Sequence, residues 1–387
     1  MLRRHRRFFA LAAFLLLATP LVAGLVYPDG AASILMEGRT PAPAPRAPVD
    51  SAEWITLPKQ IDAYLQDHIG LRQALLRTNR ELSKPLFGSY KVLTGRGGRM
   101  FFLGNEMVDE SAGLVMRDRA VGQLTDLLAR MNDDLRARGI RFLVAPPPSA
   151  SSVYQDDLPI RAQNPGRPTE YDLLLANLAA KGVPAVDLRP PVKAARAGGS
   201  VFYMHDTHWT FRGALAAFDA IVEADSHKDW RIDPSSALGP PVVRKGGDMA
   251  RILGLSDKAS EYTQHLKLPY GKRVLLPDDD YIETFDKPGP RILIFGDSLT
   301  LDYFSPMLLQ HAGSVVWIHH RYCGFDWRVI EKFRPDEVWW MPGERVFLCQ
   351  AWPTGLPDPK KGAREEKAPM GLGQPAEASE DRAAIRK

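Results

Sequence analysis

A chain of 387 residues with 45% hydrophobic side chains can bury a sizeable core, so one large domain with tails is expected. The 50 Lys and Arg against 46 Asp and Glu leave a net charge of only +4, and the basic residues are scattered rather than interleaved with aromatics, which excludes an evident nucleic-acid surface. The 2 cysteines, Cys323 and Cys349, are too few for a paired-cysteine zinc site and leave either one disulfide or two buried thiols.

In chain order, Arg3, Arg4, His5, Arg6 and Arg7 precede an apolar run from Phe8 to Val26 that is broken only by Thr19 and Pro20. The run is close to the length that crosses a bilayer, and the basic cluster would stay on the cytoplasmic side. Leu21 stands where a cut after Ala23 needs a small residue, so residues 1–26 are expected to persist as an uncleaved signal-anchor helix with the remainder exported. Residues 27–56 contain the Pro/Ala segment Thr40 to Pro48, which favours polyproline II and reads as a spacer. From Leu57 to Leu82 the pattern is helical with a break at Gly70, and Asp67, His68 and Arg72 read as an ion-paired helix face.

Val121, Leu124, Leu127, Leu128, Met131 and Leu135 recur at helical spacing, so Asp118 to Arg138 is expected to be a helix with Gly139 after its end. Ile140 to Ala145 has the composition of a strand and stops at Pro146-Pro147-Pro148. The same unit recurs as helix Tyr171 to Lys181, Gly182, and strand Val183 to Leu188. Alternating helix and strand requires a parallel sheet flanked by helices. Ser149, Ser151 and Ser152 then lie in a loop at a strand's carboxyl end, and read as loop filler. Thr210 can cap a helix with the apolar stripe Ala214, Leu215, Phe218, Ile221 and Val222. Residues 226–290, rich in Pro, Gly and charge, read as a lid or an insertion with a short helix near Asp248 to Leu255, and Asp248 is assigned no chemistry. Strands are expected at Arg291 to Phe295, Val315 to Ile318 and Glu337 to Met341, with a helix at Trp327 to Phe333. Glu344 and Arg345 read as an ion pair, and residues 351–387 as a disordered tail.

Two motifs carry chemistry. Gly296-Asp297-Ser298 ends a strand buried on both faces, and a helical run follows from Leu299 toward Pro306. Glycine permits a tight turn there, the hydroxyl is lifted clear of the sheet, and backbone N–H groups at the helix start could face a developing oxyanion. In Asp206-Thr207-His208 an extended backbone puts the carboxylate and the imidazole on one side, so the acid can orient the base. Gly-Asp-Ser after a hydrophobic strand, together with Asp-x-His-Trp before a helix, resembles the SGNH-hydrolase-like domain of the alginate O-acetyltransferase family. Ile61 to Arg72, Gly98 to Leu103, Gly247-Asp248-Met249 and Pro335 to Arg345 also look like that family, and the resemblance spans roughly Leu57 to Leu348.

The resemblance implies an α/β, three-layer SGNH-hydrolase-like domain with a mainly parallel sheet over 57–350, preceded by the N-terminal transmembrane anchor. It implies that Ser298 is acetylated, that His208 takes its proton and later activates a sugar hydroxyl, and that Asp206 orients His208. An SGNH hydrolase takes an oxyanion-hole Asn from a block after the serine, but this chain has no Asn after Asn177. The donors are then the Ser298 N–H with Arg321 or Tyr322, and Tyr303 either faces the site or is core. Trp209, Trp317, Trp327, Trp339 and Trp340 either stack on sugar or pack the core, with Trp209 the candidate substrate contact. No cofactor and no metal are implied. The partners implied are a membrane-bound O-acyltransferase as acetyl donor and an exopolysaccharide, alginate or similar, in the periplasm beside the bacterial inner membrane. An acetylesterase with the same triad, or a non-catalytic polysaccharide-binding scaffold, remain alternatives.

Overall fold

The computed structural model describes residues 91–225, 227–276, 280–284, 287–320 and 327–348, with scattered positions before residue 65. The chain divides into two compact units, Met1–Tyr90 and Lys91–Lys387, and the elements below belong to the second. Most of the expected anchor and linker, the whole expected tail, and Cys323 and Cys349 lie outside the described residues. Among the described residues no helix is long and apolar enough to cross a membrane.

A short antiparallel pair, β1 (Val92–Thr94) and β2 (Met100–Phe102), opens the unit. Helix α1 (Asp118–Ala137) follows, its apolar stripe buried as its spacing dictates, and Gly139 at φ 72° supplies the left-handed residue that ends it. After β3 (Arg141–Val144) comes α2 (Glu170–Ala180), begun by a Thr169–Asp172 capping box. Helix α3 (Phe211–Ala224) is capped by Thr210, whose hydroxyl accepts from the Gly213 N–H at 3.4 Å. Then come β4 (Leu238–Lys245), α4 (Asp248–Ile252), β5 (Ser260–Leu266), β6 (Lys272–Leu275) and β7 (Tyr281–Thr284). The chain continues through β8 (Arg291–Gly296), β9 (Ser314–His319), α5 (Trp327–Phe333) and β10 (Glu337–Met341).

Among the described residues, six strands form the central sheet in the order β3-β10-β8-β9-β7-β6. Four of them run parallel, whereas β7 and β6 are antiparallel additions, so the sheet is mixed where a mainly parallel one is expected. Strand alternation sorts the core into two layers. Leu143, Ile292, Ile294, Val315, Trp317, Trp339 and Met341 face α3, while Phe142, Val144, Leu293, Phe295, Val316, Ile318, Val338 and Trp340 face α1, α2 and Ile330 of α5. A sheet covered on both faces is the expected three-layer α/β arrangement, and its buried strands read as unbroken apolar runs for that reason.

Three local expectations are corrected. Val183 to Leu188 is not a strand: it meets β3 through the single bridge Ala185–Val144, and Pro184 has no N–H to continue a ladder. Residues 226–290 are not simply a lid or an insertion, because β6 and β7 extend the central sheet and β4 pairs with β5 as a separate ribbon. The run after Ser298 is a series of turns, with Asp302 at φ 66°, and helix begins only at Ser305–Leu308.

Candidate active site

β8 delivers Asp297 and Ser298 to the carboxyl end of the parallel strands, where open α/β sheets place their sites. Gly296 is required there by close approach: a Cβ would lie 1.8 Å from Thr300 Oγ1. That hydroxyl donates to the Asp297 carbonyl at 3.0 Å and accepts from Trp317 Nε1 at 2.9 Å, locking the turn to β9. The buried Asp297 carboxylate accepts from the Leu299 N–H at 2.9 Å and from the Gly343 N–H at 3.3 Å, tying the turn to the loop after β10. The N–H groups of Leu299, Thr300 and Leu301 are all spent on Asp297. The Ser298 N–H has no partner among the described residues.

The acid–base pair comes from a tight reversal before α3. Phe202 bridges Trp209, and the Tyr203 N–H donates to the His208 carbonyl at 3.1 Å, so residues 204–207 bulge outward. Trp209 roots this reversal: it is 0% exposed and packs against Phe202, Tyr303 and Phe304 with ring centroids 5.8 to 6.3 Å apart. The expected substrate contact at Trp209 is therefore closed off. Trp317, Trp339 and Trp340 are buried in the core as well. Tyr303 is buried, and its hydroxyl donates to the Trp209 carbonyl at 3.0 Å; it braces the reversal and is not an oxyanion donor. Arg321 and Tyr322 lie outside the described residues, as does the Trp327 side chain.

Asp206 is saturated. Its Oδ1 accepts from the His208 N–H at 3.0 Å and lies 2.6 Å from His208 Nδ1, and its Oδ2 accepts from Arg244 Nη2 at 2.8 Å and the Asp248 N–H at 3.2 Å. Arg244 carries no expectation in the sequence, and Asp248 is assigned no chemistry there. They arrive because Gly247, at φ 129°, brings the chain against the His205 carbonyl, where a Cβ would sit 2.2 Å away. The Asp248 carboxylate accepts from the Thr207 N–H at 2.8 Å and from the Thr207 hydroxyl, and stands 4.0 Å from His208 Nδ1.

Charges follow from these contacts. Burial pushes the Asp206 carboxyl up, but the His208 hydrogen bond and the charges of His208 and Arg244 overcome it and hold Asp206 far below the usual carboxylate range. Burial likewise opposes a charged His208, yet the Asp206 bond and charge, with Asp248 behind them, raise its pKa above the ordinary histidine value. Burial and the Asp206 charge raise Asp248. With Nδ1 committed to Asp206, the Nε2 of His208 is the nitrogen left to take a proton.

Ser298 Oγ accepts from Arg345 Nη2 at 3.4 Å and makes no hydrogen bond with His208 among the described residues. Arg345 also bears electrostatically on His208, so serine and imidazole share one cationic neighbour. The expected Glu344–Arg345 ion pair is not formed. Buried Glu344 instead turns under the loop after β3, accepting from the Ser149 N–H at 2.7 Å and from Ser152 Oγ, so those serines anchor the loop instead of filling it. At the end of β9, His320 donates its N–H to the Gly296 carbonyl at 2.8 Å, and burial pushes its imidazole down to about 4.

Among the described residues, two groups of side chains have lone pairs close enough to hold a metal ion: Asp206, His208 and Asp248, and, across the sheet's other end, Asp225, His227 and Glu337. In each an arginine already supplies the balancing cation, Arg244 on Asp206 at 2.8 Å and Arg141 on Asp225 at 3.0 Å. A serine on the turn after a central parallel strand and a saturated Asp-x-His reversal, which share Arg345 as a neighbour in a three-layer α/β unit, fit an SGNH-hydrolase-like domain.

The comparison with known proteins specifies it further. Residues 94–338, more than half of the chain, match the family described as SGNH hydrolase-like domain, acetyltransferase AlgX, and the chain belongs to that family. Over 102 residues it is 32% identical to the probable alginate O-acetylase AlgJ of Pseudomonas putida and 29% identical to that of Pseudomonas syringae pv. tomato. Each match covers 26% of this chain and spans only 26% of the relative's length. Among solved structures, the O-acetyltransferase domain of Pseudomonas putida AlgJ is 22% identical, covering 66% of this chain and 92% of that one at a TM-score of 0.44. Bacillus cereus PatB1 is 12% identical, covering 67% of this chain and 98% of that one at a TM-score of 0.50, a likeness of fold alone.

Proposed function

We propose that the protein is an O-acetyltransferase that places acetyl groups on hydroxyls of an exported polysaccharide, alginate or similar, through an acetyl-Ser298 intermediate. The observation that carries this reading is the fully bonded Asp206 carboxylate holding His208 Nδ1 at 2.6 Å, in a chain of the acetyltransferase family with a serine-bearing turn nearby. In the first half-reaction His208 Nε2 takes the Ser298 proton as Oγ attacks the donor's acetyl carbon, then returns it to the departing alcohol. In the second, His208 takes a proton from a sugar hydroxyl as its oxygen attacks the acetyl carbon, and returns that proton to Oγ as Ser298 leaves. Asp206 fixes the tautomer and balances the imidazolium in both halves.

The donor in this reading is a membrane-bound O-acyltransferase that hands acetyl groups across the bilayer. The basic-then-apolar segment at 1–26 keeps the domain beside it, on the periplasmic face of the inner membrane. The test supplies purified protein with an activated acetyl ester and oligosaccharide acceptors, and follows acetylated sugar by mass spectrometry against free acetate. Acetylated sugar from the parent and none from Ser298→Ala is the expected result. Free acetate alone would make the protein an esterase, and acetylation unaffected by Ser298→Ala would end the covalent reading.

A further inference from the structure

Arg345 is half-buried at the edge of the candidate site, and among the described residues it makes no ion pair with any carboxylate. Burying a guanidinium without an acidic partner costs free energy unless a ligand or a reacting group supplies the missing charge. Its one described hydrogen bond, from Nη2, is to Ser298 Oγ at 3.4 Å. The loop that carries it is held at two points that involve neither His208 nor Ser298. The Gly343 N–H donates to Asp297 at 3.3 Å and the Glu344 N–H to the Pro147 carbonyl at 2.8 Å. Gly343 is needed for this approach, since a Cβ there would lie 2.8 Å from Asp297 Oδ2 and 2.9 Å from a Leu299 methyl. Glu344, the obvious local counter-ion, is turned away beneath Ser149 and Ser152. The backbone thus separates acid from base at adjacent positions and sends the base to the serine.

We infer that Arg345 is the charged half of the oxyanion hole, acting with the unpartnered Ser298 N–H on the acetyl oxygen in both half-reactions. When Oγ bonds the acetyl carbon, the carbonyl π pair moves onto oxygen, giving an O⁻ two bonds from Oγ. A guanidinium with five N–H donors already reaching Oγ covers that position with a small movement. The oxygen's charge returns to the C=O bond as the alcohol leaves, so Arg345 gives up no proton and is unchanged by turnover. The assignment also accounts for the chemistry of the chain: it has no Asn after Asn177, and the charged donor takes the place of a side-chain amide.

This inference rests on the acetyl-serine reading, and the experiment separates the two. Initial rates with an activated acetyl ester are measured for Ser298→Ala, Arg345→Met, Arg345→Lys and Arg345→Gly, each checked for an unchanged unfolding temperature. Loss of one oxyanion donor is expected to lower kcat by about 10²–10³ fold with KM nearly unchanged in Arg345→Met, with Arg345→Lys intermediate. Added guanidinium ion should restore part of the kcat of Arg345→Gly. That rescue is read within one protein sample, so a folding defect cannot imitate it. A fall confined to KM would make Arg345 a ground-state binding residue and overturn the inference, as would an Arg345→Met variant within tenfold of the parent or an Arg345→Gly variant indifferent to guanidinium. If Ser298→Ala keeps full activity, the underlying acetyl-serine reading has failed instead.

Discussion

Replacing Asp206 with Asn tests the site where its geometry is most constrained. The carboxylate receives four donors, two on each oxygen, at 2.6 to 3.2 Å: the His208 N–H and Nδ1–H on one, and the Arg244 guanidinium and Asp248 N–H on the other. A carboxamide of the same shape has one acceptor oxygen, so whichever way it turns, its NH₂ meets two of those donors head on. If the amide oxygen keeps the Arg244 side, the His208 ring must turn or change tautomer to avoid the NH₂. If it keeps the His208 side, a buried arginine loses its acid. Hydrogen bonds to charged groups contribute about 1.5–3 kcal/mol each, so losing two costs on the order of 3–6 kcal/mol before relaxation. Asp206 is only 5% exposed, and water cannot replace the lost partners without opening the reversal. A mis-held imidazole lowers kcat by about 10⁴ fold in a serine triad. Asp206→Asn should therefore show a reduced urea midpoint together with a loss of acetyl-ester turnover of that order. A variant retaining activity within tenfold of the parent would refute the claim that this carboxylate orients His208.

Three other outcomes follow from the same contacts. Asp248 raises the proton affinity of His208, so Asp248→Asn should let the neutral base persist to lower pH; the acid limb of the kcat/KM profile moves down, and an unchanged or upward-moving limb would contradict this role. Gly247→Ala puts a Cβ 2.2 Å from the His205 carbonyl at a φ of 129°, and strain on the order of 1–3 kcal/mol from the backbone angle alone should lower Tm and separate Arg244 and Asp248 from Asp206. Because the folded Asp206 carboxyl is depressed, its stabilisation is present above an unfolded value of about 4 and fades as pH falls toward the lower folded one. Urea midpoints measured down the acid range should thus fall more steeply for the parent than for Asp206→Asn.

The sheet was legible where burial was two-sided. β3, β8, β9 and β10 are near-continuous apolar runs, and α1, α2 and α3 carry both a helical stripe and a terminal signal: Gly139, the Thr169–Asp172 box and Thr210. β4 to β7 were missed because their faces are partly solvated: Val274 and Leu275 of β6 are more than half exposed, and Pro240 and Pro241 interrupt β4. The spacing of Asp206 and His208 revealed their pairing since two residues settle it locally. The site contacts of Arg244, Asp248 and Arg345 were invisible for the converse reason. Their bonds to Asp206 and Ser298 cross 38, 42 and 47 positions of chain, and nothing in Arg244 or in Gly247-Asp248 states which turn will meet it. Adjacent opposite charges at Glu344 and Arg345 suggested a pair, but consecutive side chains project apart, and each found a separate partner.

The central claim is a covalent one, and a rapid-quench mass measurement addresses it directly. Protein mixed with an isotopically labelled acetyl ester, quenched within one turnover and digested, should carry the label on the peptide containing Ser298, with the signal prolonged when acceptor is withheld. Label confined to other peptides, or turnover to acetylated sugar with no labelled protein at any quench time, would contradict it.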